Sequence, residues 1–342
     1  MNSINLKSFV GSRVVCVLLL LLLVTGCAPC DDQQTLKGHS DKVYSIAFGP
    51  GDKILASGGF DGSIIIWDLS KRTKIIALDD HAGLVSSLVF SPNGKILASS
   101  SHDGTVKLWD TTTWKIILNF ADNEGAVNRV AFAPDGKTLA APTEDGLIKV
   151  WEIPSGKELA KLESNEEKVR CVAYSPDGST LASGSGKIVK LWDTRTWKEI
   201  LKPISTGNVE SLAFSPDGKT LAIGGSMLIH DGTNSRRVVG FVILWDTTTK
   251  EENGVLEGHE DRVCSMAFLA NGKVLATGSV DKTIRLWDVA KKTELTKQTQ
   301  DILVYCVAFS HDGKLLATPS SDKTVKLWDT AKLITDKKLL EK

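Results

Sequence analysis

The sequence predicts an all-β protein built from seven four-stranded antiparallel units stacked around one axis. Three observations carry this. Trp67, Trp109, Trp151, Trp192, Trp245, Trp287 and Trp328 follow one another at 42, 42, 41, 53, 42 and 41 residues, the self-similarity of a repeat array. Between them lie β-type runs of four to six residues with no helical period. Turn chemistry separates the runs: "SPDGK" supplies Pro, Asp and Gly in the order of a type I turn closed by a left-handed glycine, and "FDGS", "HDGT" and "EDGL" mark the next hairpin. A unit of this size cannot bury both faces of its sheet alone, so neighbours must stack.

The totals agree. The chain has 342 residues, 42 % apolar and 24 % charged, a globular composition far from that of disorder. Lys plus Arg and Asp plus Glu each count 41, so no basic field points to nucleic acid.

The amino terminus is a different kind of segment. Lys7 and Arg13 precede the apolar run "VVCVLLLLLLV", Val14 to Val24, about half the ~20 residues a spanning helix needs. A basic flank, a short apolar core and small residues read as an export signal. The next residues, "VTGC", resemble the lipobox of bacterial lipoproteins. That resemblance implies cleavage after residue 26, a lipid on Cys27, and a linker over residues 27–34 that holds the protein to a membrane on the non-cytoplasmic side. The alternative is an uncleaved anchor helix lengthened by Phe9 and Val10. Removing residues 1–26 takes away Lys7 and Arg13 and no acidic residue, leaving 39 basic side chains against 41 acidic ones. Of the other cysteines, Cys16 lies in the signal and Cys30 is unpaired beside the anchor. Cys171, Cys264 and Cys306 sit inside strand patterns as small hydrophobes, and no disulfide framework or zinc spacing is visible.

Six of the seven tryptophans are followed by Asp, as in "IIIWDL" and "IRLWDV"; Trp151 has Glu152. On this wording and spacing the chain resembles the WD-repeat family from Thr35 to about Leu340. The resemblance implies a seven-bladed β-propeller of four-stranded antiparallel blades over residues 35–342. It also implies structural tetrads, in which a His and an Asp from two loops are tied to a strand hydroxyl and the Trp. Blade one has His39, Ser57, Asp61 and Trp67; blade two has His81, Ser99, Asp103 and Trp109; blade six has His259, Thr277, Asp281 and Trp287. Blade seven keeps Thr318, Asp322 and Trp328 with Gln300 in the His position, and blade four ("SGSGKIVKLW") lacks the turn Asp. Two segments compete to complete blade seven, Thr35-Leu36 and "DKKLL" (Asp336 to Leu340). The second is favoured because it follows Trp328 at the offset where blade one has "IIALD".

No catalytic constellation is present. Three of the six histidines fall in tetrads and the Asp-Gly pairs are turn formers. Nucleophile-elbow, zinc, phosphate-loop and calcium-loop motifs are missing. No cofactor, no metal and no enzyme activity is expected.

WD-repeat proteins are interaction platforms, so the resemblance implies a monomeric scaffold binding protein or peptide partners on one face. The face positions include Lys42, Tyr44, Phe60, Leu84, His102, Leu303 and Tyr305, an aromatic and apolar sector across blades seven, one and two. Arg170 and Arg262 lie on the same face. The second reading is a small-ligand or hydrolytic propeller using its central channel; Glu144 and Glu210 look too isolated for that. One repeat is interrupted by "SMLIHDGTNSRRVVG", residues 226–240. Leu221 to Trp245 spans 24 residues where Leu55 to Trp67 spans 12, so the excess extends the hairpin between the second and third strands, turning at Asp231-Gly232. It is expected beside Lys168 and Arg170 as a basic finger exposing His230, Arg236 and Arg237, or else as a tolerated surface insertion.

Overall fold

The computed structural model describes residues 33–121, 123, 125–164, 168–230 and 236–341; the expectations for Cys16, Cys27, Cys30 and the export signal fall outside them. The described chain forms seven antiparallel sheets, one per repeat. Blade one shows the pattern, with β2 (Val43–Phe48), β3 (Ile54–Gly59), β4 (Ile64–Asp68) and β5 (Thr73–Leu78) hydrogen-bonded in that order. The innermost strand lines the axis and the fourth forms the rim. Ile64, Ile66 and Leu55 are fully buried, because each blade's middle strands are covered on both sides by neighbours. Burial of each such side chain contributes about 1.5–3 kcal/mol.

The blades are stitched side by side. Ser45 Oγ donates to the Val85 carbonyl at 2.9 Å, and Ser86 Oγ to the Val127 carbonyl at 2.5 Å. On the opposite end of the ring, the proline of one turn lies against the glycine of the next: Pro50 by Gly94, Pro92 by Gly136, Pro134 by Gly178, Pro176 by Gly218, Pro216 by Gly272. At the junction of blades seven and one His311 stands in the proline position, and a polar latch replaces the contact. Asp52 accepts from the backbone N–H of His311 at 2.9 Å and of Asp312 at 2.8 Å, with His311 Nδ1 also 2.9 Å away.

The amino-terminal strand closes the ring, correcting the expectation from "DKKLL". β1 (Gln33–Lys37) pairs with β29 (Thr324–Asp329), the third strand of blade seven. Leu36 is 1 % exposed, packed with Leu55, Ile65 and Trp67 of blade one and Val325 and Leu327 of blade seven. β29 has one free edge and β1 occupies it. The residues after it turn away instead: Asp329 caps a short helix, α1 (Thr330–Leu333), by accepting from Ala331 N–H, and Asp336 caps a 3-10 turn over Lys337–Leu339. Buried Ile334 secures this tail against Trp328 and Leu269.

The interruption in blade five belongs to β20 (Thr220–His230) and β21 (Arg236–Asp246), paired without a break from Thr220↔Asp246 to His230↔Arg236. Both run well past their neighbours β19 (Asn208–Phe214) and β22 (Glu251–Leu256).

Candidate partner-binding face

Three blades bring the tetrad residues together. In blade one Trp67 Nε1 donates to Ser57 Oγ at 2.8 Å, His39 Nε2 is 2.8 Å from the same oxygen, and His39 Nδ1 is 3.0 Å from Asp61. The network assigns the tautomer: Nδ1–H faces the carboxylate and Nε2 accepts from the serine. Blade two repeats this with 2.9, 2.8 and 2.9 Å among Trp109, Ser99, His81 and Asp103, and blade six with 2.9, 2.7 and 2.7 Å among Trp287, Thr277, His259 and Asp281. Burial pushes His39 and His81 below 6.5 despite their carboxylate partners. The carboxyl of Asp103 is held down to about 2: burial opposes its ionisation, but hydrogen bonds from Thr105 and His81 outweigh it.

Elsewhere the network is partial. Blade seven keeps Trp328 Nε1 on Thr318 Oγ1 at 3.0 Å, but Gln300 accepts from Lys326. In blade three Ala141 stands in the hydroxyl position and Trp151 stacks on Phe120 at 4.4 Å. In blade five Ile223 takes that position, and Trp245 Nε1 is buried with no hydrogen-bond partner. Trp287→Phe is therefore expected to cost about 1 kcal/mol more than Trp245→Phe, since only the first removes a made hydrogen bond. Equal losses in thermal melts would show that the Trp245 indole is satisfied.

A repeated bulge aims the face. In five blades the register of the inner strand skips one residue near its start, leaving Tyr44, Ser86, Arg170, Glu210 and Cys264 opposite no partner. A bulge re-aims the side chain it carries: Arg170 and Glu210 line one cavity and Tyr44 meets Tyr305, while Ser86 is buried against the next blade. Tyr44 stacks on Tyr305 at 4.8 Å and meets Phe60 edge-on at 5.8 Å, while Lys42 Nζ lies 5.9 Å over the Phe60 ring. A cavity of about 260 Å³ opens beside them, lined by Lys42, Phe60, Leu303, Tyr305 and Lys282 among others. Phe60 is 42 % exposed and His102 is also exposed, but Leu84 is buried and leaves the expected sector. Burial pushes the Tyr44 hydroxyl up to about 12, so it stays protonated.

Two charged features escaped the sequence reading. Arg129 of blade three donates through Nη2 to the Cys264 carbonyl of blade six at 2.5 Å. Those blades face each other across the ring, so this side chain spans the channel. Glu144 and Glu210 are not isolated: Lys168 holds the first at 2.6 Å, and Arg170 (3.1 Å) and Arg262 (3.9 Å) share the second. Among the described residues no group of three His, Cys, Asp or Glu is placed to hold a metal ion. Burial pushes the thiols of Cys171 and Cys264 up to about 12 and about 11, which leaves them poor nucleophiles. Arg237 is exposed on the blade-five hairpin; the side chains of His230 and Arg236 lie outside the described set.

Fold and site together define a seven-bladed propeller with an aromatic and charged face at one mouth of its channel. The chain belongs to the WD domain, G-beta repeat family, which it matches over residues 30–68, 72–110, 114–152, 156–193, 201–233, 250–288 and 291–329. It is 36 % identical over 56 residues to a periodic tryptophan protein 2 homolog of Schizosaccharomyces pombe, covering 16 % of this chain and 7 % of that one. It is 42 % identical over 50 residues to the small ribosomal subunit protein RACK1 of Medicago sativa, covering 15 % of each. Over 45 residues it is 42 % identical to the guanine nucleotide-binding protein subunit beta-1 of Drosophila melanogaster, covering 13 % of each. The chain thus spans 7 to 15 % of the length of these relatives.

Proposed function

We propose that this protein is an exported, membrane-tethered scaffold that binds a protein or peptide partner on the face holding Tyr44, Phe60 and Tyr305, and that it is not an enzyme. The observation that carries this is the continuous ring cluster Phe60–Tyr44–Tyr305 with Lys42 beside it. Rigid aromatic groups around a small cavity are the usual anchors of an interface. Arg129 across the channel weighs against a small molecule passing along the axis. Relatives named as a ribosomal subunit protein and a subunit of a guanine nucleotide-binding protein support a role within assemblies. The tether rests on "VTGC" and the short apolar run before it.

Two experiments test the two halves. Crosslinking in native membranes is expected to capture a partner with the wild type and to lose most of it with Phe60→Ala/Tyr305→Ala; undiminished capture would refute the aromatic face. Radiolabelled fatty acid is expected to enter the wild type and not Cys27→Ala, and equal labelling of both would refute the lipid anchor.

A further inference from the structure

The blade-five hairpin has one covered edge and one open edge. On the β21 side Gly240 N–H donates to the His259 carbonyl at 3.1 Å, and a Cβ on Gly240 would stand 2.1 Å from the Asp261 carbonyl. That side leans on blade six with no room to spare. On the β20 side pairing with β19 ends at Asn208↔Ser226, and among the described residues no strand runs beside Met227 to Ile229. A Cβ on Gly207 would come 3.1 Å from that of Met227, so the base of the hairpin is gripped from both sides and its outer part runs on beyond the blade. Proteins ordinarily blunt such an edge with charge or proline. Here it carries Met227, Leu228 and Ile229, 38 to 57 % exposed.

The surroundings say what fits. Residues directly opposite in a ladder share a face, so Met227 with Val239 and Ile229 with Arg237 form the face above Gly207. At the foot of the hairpin, beside Ser226, lies a cavity of about 690 Å³ lined by Lys168, Arg170, Asn208, Glu210 and Arg262 among others. Lys168, Arg170 and Arg262 there meet the carboxylates of Glu144 and Glu210, an excess of one cation, and Arg237 stands exposed on the hairpin opposite Ile229. A second copy paired antiparallel on the same edge would bring its own exposed Arg237 toward these cations, which like charge disfavours.

We propose that the open edge of β20 takes an extended acidic peptide segment of a partner protein as an added strand. Its apolar side chains lie against Met227 and Ile229, and a carboxylate enters the cavity beside Arg170 and Arg262. Main-chain hydrogen bonds then supply affinity and alternate side chains supply selectivity. The proposal deepens the reading of this face as partner-binding and rests on it.

The test uses fluorescein-labelled acetyl-(Val-Glu)3-amide and the full chain, read by anisotropy. The peptide is expected to bind the wild type. Lys in place of Glu, Arg262→Glu and Met227→Asp are each expected to weaken binding at least about tenfold, while Lys95→Ala on the opposite end of the ring leaves it unchanged. N-methylation of alternate residues should abolish binding in one register and spare it in the other, a signature that packing alone does not produce. Absent binding, equal binding of the Lys peptide, or indifference to both N-methyl registers would overturn the proposal. In native membranes, capture that survives loss of residues 227–238 but not Phe60→Ala/Tyr305→Ala overturns added-strand binding alone; capture that survives both overturns the partner-binding reading too.

Discussion

Asp281→Ala is expected to lower the unfolding free energy by about 1–3 kcal/mol, through the buried groups it leaves unsatisfied, and the melting temperature by several degrees. Asp281 receives His259 Nδ1 at 2.7 Å, Thr283 Oγ1 at 2.6 Å and the backbone N–H groups of Thr283 and Glu260 at 2.8 and 3.0 Å. Alanine would release all four. The histidine would then lose the partner that fixes its tautomer, and with it the hold on Thr277 and Trp287. Asp246→Ala is expected to cost less, because that carboxylate caps an exposed turn through Thr248 and Thr249 N–H. Thermal melts in the reverse order would show that the blade-six network does not stabilise the fold.

Acidification is expected to weaken the fold in two stages. His39 and His81 are held below 6.5 by burial, so the unfolded chain takes up protons there at a pH where the native chain does not. Stability therefore falls as pH drops from about 6.5 toward the lowered native values. Asp61, Asp103 and Asp281 are held below 3.8; burial opposes their ionisation, but their His, Ser and Thr partners and the N–H groups beside them outweigh it. Their contribution is complete above about 3.8 and disappears as pH falls through the native values. Both groups act in the same direction. Urea midpoints at pH 7.5, 5.0 and 3.0 should fall in that order, and a midpoint at pH 5.0 equal to that at 7.5 would exclude the histidine contribution.

Much of this architecture was legible in the sequence because it rests on local chemistry. A Trp every 42 residues or so, Asp-Gly hairpins and Pro-Asp-Gly turns determine seven four-stranded units without reference to anything distant. The resemblance to WD repeats implied that His39, Ser57 and Asp61 meet, and the period put the long hairpin between the second and third strands of blade five.

Other features were decided by contacts between blades, which no local pattern encodes. Leu36 and the "DKKLL" segment both suited the last edge; Leu36 took it because it fits between Trp67 and Leu327, while Asp336 found a cap to make. Leu84 looked like a surface residue by position and is buried, whereas Phe60, one blade earlier, is exposed. Ile223 reads as an ordinary strand residue, and only the folded sheet shows that it leaves the Trp245 indole without a hydroxyl. Arg129 meets Cys264 across the axis although 135 residues separate them. The hairpin "MLI…RRVV" reads as basic from its arginines, yet its described outer surface is largely apolar, since Met227, Leu228, Ile229 and Val238 have no blade to pack against. Turn and repeat signals act over a few bonds and so survive in one sequence. Closure, burial and the reach of a side chain across the channel depend on which surfaces meet once the ring is complete.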